Sequence, residues 1–591
     1  MKKPRKIAII ALVSAALITS PGVPSHALDP TGSYNSVTGV VPPAIPSWGL
    51  IVDEPLTGGF QTVSSIVAGV PPTYSGKLLD AENRVCKSAK DPHCDGMYNL
   101  VAQLMLPPCV DAASRMCVEG LEVSTKGSAL TKSTLDHTVA SEPTPADSSI
   151  GLPAGGSPSL WKAPSATHAG GTDTYGVVVN AQYQQMLKVP GIQEGSKLRL
   201  ISFNASVIPV VMTAQYGNVA EVKEVPQASG PHMGKYNYTV GMKDGATGPA
   251  VQNLKCLWTE LALCARISSF AEDSKAALTL RMNNDLTGWL FGRMKEVNVS
   301  VSPLDASNNT LKIEAKPVDV PAALGFVAKA DMPKYPLVEA FERLNYNPGD
   351  GNYERVIANQ TSSWGGESSA GGFRGFTAFE QFLKPIQSQG ERWLISAGAT
   401  RNGLVGAAGG CFASTDKLLG LVTTNSLIYS PGPPELKDGA LTYKVAGLHT
   451  TANGDVFKGT YDLAMRSETA RCLYNFTKAP IRAEVVVVSA DGSNQNVTTV
   501  IQNERDGWFT LGAYNFTFSQ PTIRIKLTQE KAVVPTSVTP ASVTPAPKAS
   551  TPAAPANPNK SKTIIITCVK GKTTKKVVGA NPTCPVGYKK K

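Results

Sequence analysis

Histidine is scarce in this chain of 591 residues: there are six, and one of them, His26, lies in the extreme N-terminal segment. The other five, His93, His137, His168, His232 and His449, are scattered over unrelated contexts. A Ser-His-Asp site would need one of them as its base. His449, near the end of a strand expected over 441–448, reads as structural. The chain holds no G-x-S-x-G, H-E-x-x-H, P-loop or G-x-G-x-x-G. Those absences remove the nucleophile-elbow hydrolases, the helix-borne zinc proteases and the motif-bearing nucleotide binders. C-x2-C is missing too, so zinc is a weak rival to disulfides for the cysteines, and His93 beside Cys94 is the only close Cys/His neighbour. Past the N-terminus no run reaches 18 apolar residues, so no later segment is expected to cross a bilayer as a helix.

What remains of catalytic pattern is thin. Ser414, Thr415, Asp416 and Lys417 match S-x-x-K, a pattern with two fixed positions that arises by chance in a chain of this length. Asp350, Asn352 and Glu354 place oxygens at alternate positions, as a calcium loop does, but the rest of an EF-hand loop is missing and a turn is the plainer reading. A glycosidase needs only two carboxylates, an arrangement that leaves almost no sequence trace. No cofactor and no metal site are expected.

The body also lacks net charge. The whole chain carries +11; three lysines and an arginine in residues 1–27 and nine lysines in 560–591, with no acid in either segment, leave −2 for 28–559. A nucleic-acid binder carries its basic footprint on a folded domain. Nucleic acid is therefore not an expected partner.

The N-terminus has the form of a signal peptide, 1–27. Lys2, Lys3, Arg5 and Lys6 precede an apolar stretch over 7–18 that is too short to span a bilayer, and Ser25-His26-Ala27 puts small residues at −3 and −1 of a cleavage site. An uncleaved amphipathic anchor is the alternative. No cysteine follows to take a lipid. The expected location is secreted, associated with the cell wall or cell surface.

Ten cysteines fit an exported chain. They fall as Cys86/Cys94, Cys109/Cys117, Cys256/Cys264, Cys411/Cys472 and Cys568/Cys584, and three of the first four pairs share the spacing i to i+8. An even count in an exporting compartment reads as a disulfide framework. The repeated spacing favours consecutive pairing. By loop-closure entropy the short loops contribute about 2.5 kcal/mol each and the Cys411–Cys472 loop about 4.

The body is expected to be mostly β, built of two or more antiparallel sandwich-like regions with short helices. Apolar and polar residues alternate over 278–282, 297–302, 311–315 and 523–527, and 485–488 is a continuous apolar run that suits a strand buried on both faces. Eight Asn-Gly or Asp-Gly dipeptides, at 95, 244, 350, 402, 438, 453, 491 and 506, supply hairpin-turn chemistry. Helix is expected over 337–344 and 376–387, the latter with Phe379, Phe382 and Leu383 on one face.

Composition divides the chain further. A Pro/Gly-rich leading segment spans 28–69 and a β-rich domain with three short disulfide loops 70–320, its polar stretch 141–171 reading as a long loop. A Gly/Ser-rich middle with short helices covers 321–389, and a second β-rich domain 390–530. A Pro/Thr/Ala-rich linker follows over 531–561, its 27 residues from 533 to 559 reaching roughly 80 Å at about 3.1 Å each. The chain ends in a small basic cassette, 562–591, expected to form a β-hairpin.

Within that cassette, Ile566-Thr567-Cys568-Val569-Lys570-Gly571-Lys572, then Asn581-Pro582-Thr583-Cys584-Pro585-Val586-Gly587-Tyr588 and three lysines, resembles the C-terminal cassette of many exported proteins of actinobacteria. The segments 286–293, 471–476 and 506–509 look like stretches from proteins of the same group. The resemblance implies origin and compartment and carries over no activity and no site residue. Lys570, Lys572, Lys575, Lys576, Lys589, Lys590 and Lys591 are the candidate contacts to anionic envelope polymers.

Carbohydrate is the other candidate partner, because exposed aromatics stack on sugar faces. For Trp258, Trp289, Trp364, Trp393 and Trp508 the alternative is core packing, with Trp364, among glycines, the best placed for exposure. The expected role is structural, adhesive or interactive and non-catalytic. The alternatives are an extracellular polysaccharide-active enzyme of the carboxylate-pair type and a carbohydrate-binding module. A cleft with two carboxyls about 5–9 Å apart would favour the enzyme.

Overall fold

The computed structural model describes residues 45, 47–53, 63–70, 82–191, 194–214, 220–226, 236–242, 256–260, 263–345, 355–361, 372–386, 390–397, 409–411, 417–477, 481–488, 494–495, 499–518, 522–529, 564–570, 573–579, 584 and 588–590. The signal peptide, the linker, the Asp350–Glu354 stretch, Ser414, His232 and Trp364 lie outside them. Internal contacts divide the chain into two units, Met1–Lys531 and Ala532–Lys591.

The first unit is mostly β. Its largest sheet runs in the order Glu82–Cys86, Ser65–Val70, Asn99–Met105, Thr174–Met186, Arg199–Ala214, Leu394–Ala397, Gly288–Arg293, Leu418–Thr424, Lys458–Arg466, Trp508–Thr517 and Thr499–Arg505. The short strand Leu394–Ala397 lies between Arg199–Ala214 and Gly288–Arg293, so residues from 70–320 and from 390–530 share this sheet. Most of its pairings are antiparallel; Gly288–Arg293 with Leu418–Thr424 is parallel.

A five-stranded sheet, Lys295–Pro303, Asn308–Lys316, Lys275–Asn283, Cys117–Ser124 and Thr131–Lys132, covers one part of the large sheet. Period-2 alternation explains why. Leu278, Leu280, Met282, Leu311 and Ile313 fall on one face and join Leu100, Ala102, Leu104, Val177 and Val179 of the large sheet in a single buried cluster. Each such side chain taken out of water contributes about 1.5–3 kcal/mol. Trp393, 1 % exposed, ties the layers together by donating Nε1–H to the Ala315 carbonyl at 3.1 Å.

A second layer covers another part of the same sheet. Ala440–Ala446, Thr522–Gln529 and Ile481–Val488 pack Leu441, Tyr443, Val445, Ile523 and Ile525 against Tyr461, Leu463, Met465, Phe509 and Leu511. Arg293, fully buried, helps carry the chain between these layers: Nη1 donates to the carbonyls of Thr424 (3.0 Å) and Ser426 (2.5 Å), and its guanidinium lies 4.3 Å from the Tyr429 ring centre. A third core joins the four-stranded sheet Arg355–Thr361, Ser47–Asp53, Ala322–Ala328, Lys384–Ile386 to helices α1 (Pro336–Asn345) and α2 (Phe373–Phe379) through Trp48, Leu50, Phe341, Phe376 and Phe379. Helix α3, Ser467–Tyr474, follows the strand Lys458–Arg466.

Two of the expected Asp-Gly turns have the geometry that joins antiparallel strands through two residues. Asp438 and Gly439 take φ of 51° and 70° between Lys437 and Ala440, and Asp506 and Gly507 take 51° and 77° between Arg505 and Trp508. Disulfides join Cys86–Cys94, Cys109–Cys117 and Cys411–Cys472. Cys264 and Cys584 are disulfide-bonded as well, while the side chains of Cys256 and Cys568 lie outside the described residues.

Three expectations are corrected. The stretch 141–171 is not loop throughout: the strand Ser159–Lys162 interrupts it, paired with Thr134–Thr138 and Thr174–Met186, and isolated bridges join Thr144 to Gly155 and Asp147 to Leu152. Its polar composition hides an apolar minority, Leu152, Leu160, Trp161, Ala163 and Ala166, that is buried. The run 485–488 is not buried on both faces; only Val487 is fully covered, because Ile481–Val488 forms the outer layer of its sandwich. Finally, α2 ends at Phe379, and Lys384–Ile386 is a strand instead of helix. Pro385 has no N–H to continue a helix and pushes Lys384 toward extended backbone.

The second unit holds a three-stranded sheet in the order Thr573–Gly579, Ile564–Lys570, Lys589–Lys590. The first two strands form the expected hairpin, with Lys570 opposite Thr573, and Lys589 adds a third strand opposite Val569.

Candidate functional site

A concentration of polar side chains around a cavity lies at one end of the five-stranded sheet. Strand Lys275–Asn283 ends in Asn283, and strand Asn308–Lys316 begins opposite it, so register places Asn283 beside Asn308 and Met282 beside Asn309. The turn between Lys295–Pro303 and Asn308–Lys316 adds Asp305; the start of Leu418–Thr424 adds Lys417 and Leu418; the end of Lys458–Arg466 adds Arg466. Together they enclose about 280 Å³ over an apolar floor of Met282, Leu286, Val301 and Leu311.

Two of the carboxamides are joined directly, and the third is held by a carboxylate. Asn309 Nδ2 donates to Asn284 Oδ1 at 2.6 Å, Asn284 Nδ2 donates to the Ala306 carbonyl at 3.4 Å, and Asn283 Nδ2 donates to Asp285 Oδ2 at 2.6 Å. Asp305 is held firmly: Oδ1 accepts from Ser307 N (2.9 Å) and Asn308 Nδ2 (2.7 Å), and Oδ2 accepts from Arg115 Nε (2.7 Å). Hydrogen bonds from Asn308, Ser307 and Arg115 bring its carboxyl down to about 2. Asp285 goes the other way, raised by the protein crowded around it against the opposing hydrogen bond from Asn283.

On the cationic side Arg466 donates Nε–H to the Leu418 carbonyl at 2.8 Å and lies 5.0 Å from the Trp508 ring centre, and Lys417 pairs with Glu468 at 2.8 Å. The site thus offers amide, carboxylate and guanidinium groups in fixed positions, a donor and acceptor set suited to hydroxyl-rich ligands. Asp305 is the one acid among the described lining residues, so they do not supply the carboxylate pair of an acid and its partner. Both oxygens of Asp305 are already occupied, which suits a positioning role better than attack.

Of the residues singled out in the sequence, Lys417 of the S-x-x-K match lines this cleft, and the others have different roles. Trp258, Trp289, Trp393 and Trp508 are all buried, so core packing is their role. His168 is buried, its pKa lowered by burial, with Nε2 near the carbonyls of Thr174 (3.1 Å) and Val210 (3.2 Å) and Nδ1 accepting from Gly170 N (3.1 Å). His93 reaches Glu224 at 2.9 Å and His137 reaches Asp136 at 2.8 Å, while Cys94 is bound to Cys86. His449 is exposed. Among the described residues no group of three or more His, Cys, Asp or Glu is placed to hold a metal ion. In the tail, Lys570, Lys575 and Lys576 lie on strands, Lys589 and Lys590 are exposed, and Lys572 and Lys591 lie outside the described residues.

Sequence reasoning missed the cleft, although a signal was present. Two Asn-Asn dipeptides, 283–284 and 308–309, stand at facing strand ends. It also missed Asp462, 5 % exposed and pushed up to about 7 chiefly by burial. Among the described residues no helix is long and apolar enough to cross a membrane. No protein-family model matches the chain, and no curated protein matches it.

Proposed function

We propose that the chain is an exported protein with a non-catalytic structural, adhesive or interactive role, displayed at the cell surface by its basic tail. The observation that carries this reading is the division of charge between units: residues 560–591, in the unit Ala532–Lys591, hold nine lysines and no acid, whereas 28–559 are near neutral. The disulfides of the body suit an oxidising compartment. The test is fractionation of cells expressing the full chain or a version ending at Asn559. The full chain is expected in the envelope fraction and the short version in the medium. Equal release of both would refute the tether.

The polar cleft favours carbohydrate binding over polysaccharide cleavage as the second reading, because its carboxamides, Arg466 and the immobilised Asp305 form a donor and acceptor set. On this reading the pair Asn284→Ala, Asn309→Ala lowers retention on an insoluble polysaccharide about tenfold, as loss of one or two hydrogen bonds does. Retention unchanged in that variant, or release of reducing ends by the wild type, would set the reading aside.

A further inference from the structure

The geometry points to a second ligand site, independent of the tail and the polar cleft: the groove between helices α1 and α2 takes one molecule of a long-chain carboxylate. Leu337, Ala340 and Phe341 stand at i, i+3 and i+4 on α1 and so form one face of that helix. Across from them α2 presents Phe373, Arg374, Thr377 and Ala378, again related by spacings of four. The groove is closed on its third side by the facing strands Ala440–Ala446 and Thr522–Gln529, where Lys444 is paired with Thr522.

The space is about 510 Å³, within the range of roughly 300–1,000 Å³ usual for small-molecule sites. Phe341, Ala378 and Val445 line it while buried, and Leu337 stays 60 % exposed beside it although apolar. The charged side chains among the described lining residues are of one sign. Arg374 and Lys444 are cations, Thr377 and Thr522 bring hydroxyls, and no Asp or Glu is among the described lining residues. An apolar trough with two cations fits a hydrocarbon chain ending in an anion, since the cations meet the head while the chain covers the aromatic and aliphatic side chains. A cationic amphiphile would bring like charge toward Arg374 and Lys444, and a neutral one would leave that attraction unused. A concave trough accepts separate molecules, whereas docking on a bilayer calls for an apolar face that protrudes into the headgroups.

The experiment is calorimetric titration of the full chain with palmitate below its micelle concentration. Hexadecanol, hexadecyltrimethylammonium and phosphatidylglycerol vesicles are run as separate arms. Palmitate is expected to saturate one site, at least tenfold tighter than hexadecanol and the cationic amphiphile, with no comparable binding to the vesicles. Arg374→Glu with Lys444→Glu should weaken palmitate at least tenfold. Ala340→Trp, at an exposed helix position, should fill the groove and abolish binding while near-ultraviolet circular dichroism stays that of the wild type. Equal binding of alcohol and carboxylate, binding to vesicles alone, or palmitate affinity untouched by both variants would overturn the assignment.

Discussion

Asp462 is a buried carboxyl with hydrogen-bond donors on one oxygen only. Its Oδ1 accepts from Tyr514 Oη at 2.7 Å, Glu296 N at 2.9 Å and Val297 N at 3.4 Å, whereas buried Oδ2 has no hydrogen-bond partner among the described residues. Burial outweighs those hydrogen bonds and brings the carboxyl from 3.8 to about 7. Between those two values the folded chain keeps a proton that the unfolded chain has released. Stability from this group therefore falls as pH rises through that window and levels off above about 7. The full difference corresponds to up to about 4 kcal/mol. Asp462→Asn retains an acceptor for Tyr514 and cannot ionise, so its urea midpoint, relative to wild type, should rise between pH 4 and pH 8. Parallel pH profiles for the two proteins would contradict this account. Asp305 differs in kind: it is exposed, its carboxyl is held low by local donors, and its role is to fix a turn at the cleft rim.

At the scale of elements, residues that alternate or turn locally were legible, and pairings over long distance were not. The alternating runs 278–282, 311–315 and 523–527 are strands with the expected faces buried, because a period of two specifies a half-covered strand whatever its neighbours. The same logic cannot say that Leu394–Ala397 joins Arg199–Ala214 to Gly288–Arg293, or that Arg115 reaches Asp305 across 190 positions. The cleft was hidden for that reason: its rim comes from turns and strand ends that only pairing brings together. Where backbone geometry is local, a quantitative forecast follows. Gly439→Ala and Gly507→Ala force a side chain onto left-handed backbone, and each should cost about 1–2 kcal/mol by urea unfolding. Gly420 is constrained by contact instead, since a Cβ there would lie 2.2 Å from the buried Trp289 ring, so Gly420→Ala should cost more than either turn variant. Replacing Cys411 and Cys472 together by serine opens the longest described disulfide loop and should lower stability by about 4 kcal/mol. A turn variant as stable as wild type would mean that the strands accept another loop geometry.

For the whole molecule, the division into two contact units that meet at Lys531 and Ala532 lets the proposed attachment be tested apart from the stability of the body. The body has four described hydrophobic cores of its own, all within Met1–Lys531. The tail has its own three-stranded sheet, in which Lys575 and Lys590 stand opposite Cys568 on its two sides. If attachment is electrostatic, each lysine near an anionic surface contributes up to about 1 kcal/mol, screened over about 8 Å at physiological salt and about 3 Å at 1 M. Retention of the full chain on anionic polymer beads should therefore fall more than tenfold between dilute buffer and 1 M salt. Replacing Lys570, Lys575 and Lys576 by glutamine should reproduce about a tenfold loss at low salt. The urea midpoint of the body should be the same in the full chain, the lysine variant and a chain ending at Asn559. Retention that ignores both salt and the lysine changes would point to a covalent link or a specific receptor in place of charge. A shifted midpoint would show that the tail contributes to the fold of the body, and removal of the tail would then change adhesion and stability together.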